Sequence, residues 1–331
     1  MQDKSERTTI RALRAIAIAL CAIHLGCAPV SAEVLADAGP ARNAIALLTS
    51  FPVEVDRIST TLEHIPVPSG RVIYTCTYPP AGRAVFYVKD HVLNYSSKAS
   101  FPELNLRPKV QPVQTATKQF ADKFTPILRQ WSQTTLPRAS AAFSQAANEV
   151  HAVQDEINQG IGPNESQRAR VISALTAILS SLDTGKAELT EMTRIMSEYH
   201  LGQQALRESL SQWSVTASPQ VRSFTEKTRE EINRQRCKGD GLDKLGSIER
   251  EANASIAAIT SNIDALQQRT DEANKALPIV IGAFVSYAAR YEAVAERLKV
   301  VQESPVGSVI QNLHLVIATK TWQDFVNTAQ Q

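Results

Sequence analysis

Apolar residues recur along most of this chain at spacings that alternate between four and three, the period of a helix buried along one seam. The longest case starts at Val171 and runs through Leu175, Ile178, Leu182, Leu189, Met192, Met196, Tyr199, Leu206 and Leu210 to Trp213. Only Gly185 and Gln203 interrupt it. At about 1.5 Å of rise per residue this is a rod of roughly 65 Å. Val221, Phe224 and Thr228 carry the pattern past a kink at Pro219 towards Arg236. After a glycine-rich turn over Cys237–Asp243, a second seam runs from Leu245, Ile248, Ala252 and Ile256 to Tyr291, Val294, Leu298 and Val301, about 85 Å of helix by the same rise. Such rods do not fit a compact globule of about 300 residues, whose radius of gyration would be about 19 Å. They must lie antiparallel in an elongated bundle.

Shorter elements surround the rods. Phe120, Phe124, Ile127 and Trp131 predict a helix that stops at Leu136-Pro137, and Phe143, Ala146, Val150, Val153 and Ile157 predict another, ended by Gly160-Ile-Gly-Pro163. Asn164 followed by Gln167 has the form of a capping box for the first rod. Ser304-Pro305 stops the second rod, and a closing helix with Val309, Leu313, Val316, Ile317, Trp322 and Phe325 packs back on the bundle. Upstream, residues 33–65 read as short helices broken at Gly39-Pro40 and Phe51-Pro52. The strand patterns Arg71–Tyr78 and Ala84–Val88 flank Pro79–Arg83, which predicts a β-hairpin with a turn of about five residues. Pro102, Pro108 and Pro112 then mark irregular chain. The expected fold class is mainly α, an elongated antiparallel long-helix bundle with a small β-hairpin near the N-terminal side. Residues 1–32 are the leader, 33–113 the short helices, hairpin and proline-rich loop, and 114–331 the bundle.

The leader is a signal-peptide pattern. Arg11 and Arg14 precede the apolar run Ala15–Leu25, and Val30-Ser31-Ala32 meets the small-x-small rule for cleavage. Export is expected, to the periplasm or the medium. Cleavage before Cys27 would give a lipoprotein instead, but His24 stands where such a signal wants Leu. A net charge of +2 gives no electrostatic case for nucleic acid. Of the four cysteines, Cys76 and Cys237 remain after cleavage. In an oxidising compartment they form one disulfide across a long loop, or they stay as two free thiols.

Catalytic patterns are missing from the sequence. The six histidines are scattered, none paired at metal-ligand spacing with a third donor, and His151 and His200 fall on exposed faces of the predicted helices. No phosphate loop follows a strand, and no serine elbow occurs. Asp240-Gly-Leu-Asp243 lacks the ligand series of an EF-hand. No cofactor, metal or enzymatic activity is expected.

Lys275–Tyr287, "KALPIVIGAFVSY", is the most apolar run after the leader. Leu277, Val280, Phe284 and Tyr287 belong to the seam, whereas Ile279, Ile281, Ala283 and Val285 point elsewhere. Either extra helices surround the segment in a thick tail, or it is a membrane-seeking or partner-docking patch released by a hinge at Pro278 and Gly282. About fourteen residues are too few to cross a bilayer core of about 30 Å alone.

An exported chain, very long antiparallel helices, a closing helix with Trp322 in "VIATKTWQDFV" and an apolar segment within an amphipathic rod resemble the α-helical pore-forming toxins of the cytolysin A, haemolysin BL and xenorhabdolysin type. The resemblance covers residues 114–331. It implies a protein soluble as exported that associates with lipid membranes or partner toxin subunits, as a homo- or hetero-oligomer. Inserting members of that family carry an apolar head or tongue at a tip of the rod, usually between two long helices. Here that junction, "RCKGDGLDK", is polar. The hairpin is then the candidate tongue or partner contact, through Val72, Ile73, Tyr74, Tyr78, Val85, Phe86, Tyr87 and Val88, unless it is an ordinary satellite packed on helices. The other reading is an extracytoplasmic coiled-coil scaffold or adaptor that binds protein partners without entering lipid.

Overall fold

The computed structural model describes residues 38–78, 87–95, 101, 104–162, 164–234, 237–238, 241–300, 309–310 and 313–331. The expected leader, 1–32, lies outside them. In chain order the elements are helix α1 (Gly39–Glu63), strands β1 (Gly70–Tyr78) and β2 (Tyr87–Tyr95), and helix α2 (Leu106–Gln130). A π-helical turn (Trp131–Thr135) leads into α3 (Leu136–Asn158), followed by α4 (Glu165–Arg234), the two-residue strand β3 (Cys237–Lys238), α5 (Gly241–Val300) and α6 (Leu315–Ala329).

The rods α4 and α5 run antiparallel along the seam that their periodicity predicts. Thr225 bonds Glu249, Arg207 pairs with Asp264 at 2.7 Å, His200 lies 3.1 Å from Asp271, and Phe284 lies over Gly185. From Val171 to Trp213 every seam position is buried except Leu206, which is half-buried. On α5 the seam is buried from Leu245 to Leu298 with Val294 alone partly open. A helix as long as α4 holds together in water because this stripe is covered, since propensity alone leaves long polar helices marginal. The Asn164–Gln167 capping box forms, with the Gln167 N–H donating to Asn164 Oδ1 at 2.9 Å and the Asn164 N–H to Gln167 Oε1 at 3.2 Å.

The remaining helices are laid on that pair. The Thr117 and Tyr199 hydroxyls meet at 3.1 Å between α2 and α4, and Arg170 of α4 ion-pairs Glu149 and Glu156 of α3. Burial pushes the Tyr199 hydroxyl up to about 12, its bond to Thr117 opposing the shift. Phe51 of α1 meets Phe120 of α2 edge-on at 5.5 Å. At the far end Trp322 of α6 stacks on Phe143 at 5.1 Å and meets Phe284 edge-on at 4.9 Å, closing an aromatic cluster that includes Tyr287, Tyr291 and Phe325.

Several expectations change. Residues 39–63 are one helix, with Pro40 in its first turn and Pro52 inside it, where short broken helices were expected. Pro108 and Pro112 lie within α2, in what was expected to be irregular chain. The Leu136-Pro137 stop is a π-turn between two joined helices. Pro137 excludes the carbonyl four residues back, and the widened turn at Trp131–Thr135 absorbs that clash. Pro112, Pro126, Pro219 and Pro278 all face solvent, where water satisfies the carbonyl each leaves unbonded. In α6 the buried face is Leu315, Ala318, Trp322 and Phe325, so Val316 and Ile317, expected inside, are exposed. His200 lies half-buried between the rods, with Gln204 and Gln267 as further neighbours, whereas an exposed face was expected.

Gly185 has a packing reason. A Cβ there would fall 2.2 Å from the Phe284 ring, whereas a Cβ on the exposed Gly282 meets nothing within 4 Å. Two alanine substitutions should therefore act in opposite directions when stability is measured by chemical denaturation. Gly282→Ala is expected to stabilise by up to about 1 kcal/mol through helix propensity. Gly185→Ala, with the same propensity gain, is expected to destabilise by about 1–3 kcal/mol through overpacking.

Candidate functional site

The hairpin and the α4–α5 junction are one structure. β1 pairs antiparallel with β2 from Gly70 opposite Tyr95 to Tyr78 opposite Tyr87. Its other edge takes β3, with Thr75 opposite Lys238 and Cys76 opposite Cys237, giving the order β2-β1-β3. The polar junction and the candidate tongue, far apart in sequence, therefore share a sheet at the tip of the rod. The second strand runs past its expected end at Val88. Its described part is Tyr87–Tyr95, because Lys89, Asp90 and His91 interrupt the apolar alternation without ending the strand. Phe86 and the turn lie outside the described residues, as does Val85, and of Tyr87 the structure gives the backbone pairing.

Alternation divides the hairpin into two faces. The inner face carries Val72 and Cys76, both fully buried, and the half-buried Tyr74 and Tyr78. Tyr74 stacks on His91 at 5.4 Å, and the Tyr78 hydroxyl is 2.7 Å from His91 Nε2. The Tyr74 hydroxyl is pushed up by burial, with Glu231 and then Tyr78 adding to the shift, which places it beside the end of α4. Tyr95 is raised by burial and then by Glu251, near the start of α5. The outer face is Ile73, Thr75, Thr77, Val88, Asp90 and Val92. Its Ile73 and Val92 are directly opposed and 48% and 54% exposed, and Val88 is 64% exposed. Of the residues named in advance, Val72, Tyr74 and Tyr78 thus face the rod. Val92 lay beyond the expected strand and was missed.

The run in α5 forms a second surface, about 55 Å from β3 by helical rise. Leu277, Val280, Phe284 and Tyr287 are buried in the seam, while Ile279 and Val285 are 44% and 42% exposed and Ile281 is half-buried. No further helix wraps this side of α5 among the described residues. The helix continues unbroken through Pro278 and Gly282. By length and composition α5 includes an 18-residue window apolar enough to cross a membrane, only 28% of it buried. Among the described residues no group of three or more His, Cys, Asp or Glu side chains could hold a metal ion.

No protein-family model matches the sequence, and a comparison with curated proteins finds no match. Solved structures do match. The cytotoxin MakB from Vibrio cholerae superposes with a TM-score of 0.53 at 11% identity, over 89% of this chain and 92% of that one. The Bacillus cereus HblL1 toxin component gives 0.52 at 11% identity, over 87% and 94%. Soluble SmhB, of the tripartite alpha-pore forming toxin Smh from Serratia marcescens, gives 0.51 at 11% identity, over 89% and 91%. The chain has the fold of the α-helical pore-forming toxins. The likeness is one of architecture, and at 89% of the chain it covers more than residues 114–331 alone.

The two faces of β1 should separate by substitution. The double change Ile73→Ser with Val92→Ser is expected to cost about 1 kcal/mol or less, the range of an exposed cross-strand pair. Val72→Ala, opening a hole in the packed inner face, is expected to cost about 2–3 kcal/mol. Equilibrium unfolding of both variants measures the difference.

Proposed function

We propose that this chain is an exported, non-enzymatic component of a multi-part cytolysin, which associates with lipid membranes or partner toxin subunits through the sheet at its tip. The observation that carries the reading is the exposed apolar residues Ile73, Val88 and Val92 on the mixed outer face of a hairpin, at the end of a rod with the fold of toxin components. Apolar surface left in water at a tip is favourably removed by a bilayer interface or a protein partner. SmhB belongs to a tripartite toxin, and a component of that kind acts with others. The non-enzymatic reading rests on the sequence, where no phosphate loop or serine elbow occurs. The signal-peptide pattern of residues 1–32 supports export.

The exposed run of α5 provides a second contact, enlarged when the rod bends at Pro278 and Gly282. In this reading Ile279 and Val285, already exposed, meet lipid or a partner directly, and bending bares the half-buried Ile281.

Vesicle flotation with and without dye leakage tests the proposal, using the mature chain alone and together with candidate subunits encoded nearby. Lipid association is expected, weakened at least several-fold by Ile73→Ser with Val92→Ser. No association under any of these conditions would leave the coiled-coil scaffold reading in its place. For the hinge, Pro278→Ala should raise stability, by up to about 3 kcal/mol, and lower leakage, because the straightened helix resists bending. Unchanged stability and leakage would remove Pro278 from the mechanism.

A further inference from the structure

Among the described residues, strand pairing fastens the hairpin to the rod at one point. β1 is paired along its whole length with β2, but its other edge is paired only at Thr75 and Cys76, to the two residues of β3. β2 lies at the edge of the sheet. Cys76 is disulfide-bonded and fully buried, and the residue opposite it is Cys237. Facing Cα atoms of an antiparallel pair lie about 4.5–5.5 Å apart, within the roughly 4.4–6.8 Å that a disulfide spans. We propose that a Cys76–Cys237 disulfide is a redox clasp that keeps the inner face of the hairpin on the rod, and that a dithiol reductant releases it. The inference rests on the contact role proposed above for the hairpin.

A two-residue strand does not hold by its own hydrogen bonds, since far longer pairings are marginal in isolation. With the bond intact, a parted β3 stays next to β1 and the pairing re-forms as an intramolecular event. Once it is cut, what opposes departure among the described residues is the packing of Val72, Tyr74, Cys76, Tyr78, Leu93 and Tyr95 and the contact of β1 with α5. The hairpin leaves as a unit, because its nine β1–β2 residue pairs do not involve the rod. Release adds Val72, Tyr74 and Tyr78 to the apolar surface that Ile73, Val88 and Val92 already present.

The chemistry balances with a dithiol as reductant. Its thiolate attacks one sulfur of the bond, giving a mixed disulfide and expelling the other cysteine as a thiolate, which takes a proton. The second reductant thiol closes its own disulfide and expels the remaining cysteine. The reductant loses two electrons and two protons, and Cys76 and Cys237 each end as thiols. Because Cys76 is buried, attack follows local opening of the β1–β3 pairing.

Hydrogen exchange on the full mature chain tests the clasp, comparing the oxidised protein, the protein treated with dithiothreitol, and the double variant Cys76→Ser with Cys237→Ser. Peptide mapping of the oxidised chain should recover a fragment joining residues 76 and 237. Reduction is expected to speed amide exchange at residues 75–76 and 237–238 by about tenfold or more, with the centre of the α4–α5 seam unchanged. Failure to find the joined fragment, or unchanged exchange after the bond is shown to be cut, would overturn the proposal. Reduction of the wild-type chain keeps the test valid if the double variant folds poorly. Flotation on phosphatidylcholine–phosphatidylserine vesicles, run in parallel, separates the two ideas. Faster exchange with increased flotation supports both, and faster exchange without it upholds the clasp while removing the hairpin's lipid contact.

Discussion

Everything in this molecule is referred to one antiparallel seam. α4 and α5 each bury a single stripe against the other, and the other described elements are laid over the pair that results. The contact of Phe284 with Gly185 shows how closely the seam is fitted. A large ring enters where the opposing helix has no side chain, so the backbones can approach and the alternation of large and small is kept. Helices of this length have no compact alternative, and the rod shape follows from the burial of one stripe per helix.

The same seam carries polar positions near its middle. Gln203 and Gln267 are buried there, and His200 and Asp271 approach across the helices at 3.1 Å. Polar groups at seam positions weaken a coiled coil but penalise slipped registers, in which they would meet apolar side chains. The register matters here because it fixes which end of the rod receives which accessory. Pairing Gly185 with Phe284 places the Trp322 cluster at one end, and pairing Thr225 with Glu249 leaves the α4–α5 turn at the other.

That placement makes the tip composite. α1 ends and α2 begins alongside the far halves of the rods, with Ser255 of α5 bonded to the Pro66 carbonyl and Phe101 against Phe224 at 4.7 Å. The hairpin between them is delivered to the turn between α4 and α5 and adds two strands to its two residues. A junction that is polar by itself thereby acquires the exposed apolar residues Ile73, Val88 and Val92 from another part of the chain. The exposed side of α5 is a different kind of surface, a helix whose seam is satisfied and whose neighbouring face is apolar all the same.

Helical periodicity by itself determined the rods, their antiparallel pairing and the capping box at Asn164, because a stripe repeating every three or four residues has one economical way to be buried. The sequence also marked the hairpin and the run around Pro278. It misplaced what depends on surroundings. Pro52 and Pro112 read as breaks, though both sit inside helices, and most of the interior prolines face solvent, where water can bond the freed carbonyl. The end of β2 was hidden because Lys89, Asp90 and His91 lie on a strand with little packed against it, so no burial pattern records it. The inward face of β1 was decided by the rod it lies on. Alternation separates Val72 from Ile73, but only the helix packed against one of them says which is inside. Tertiary structure alone brought Cys76 opposite Cys237, since nothing in a linear pattern measures the distance between a hairpin and a turn more than a hundred residues away.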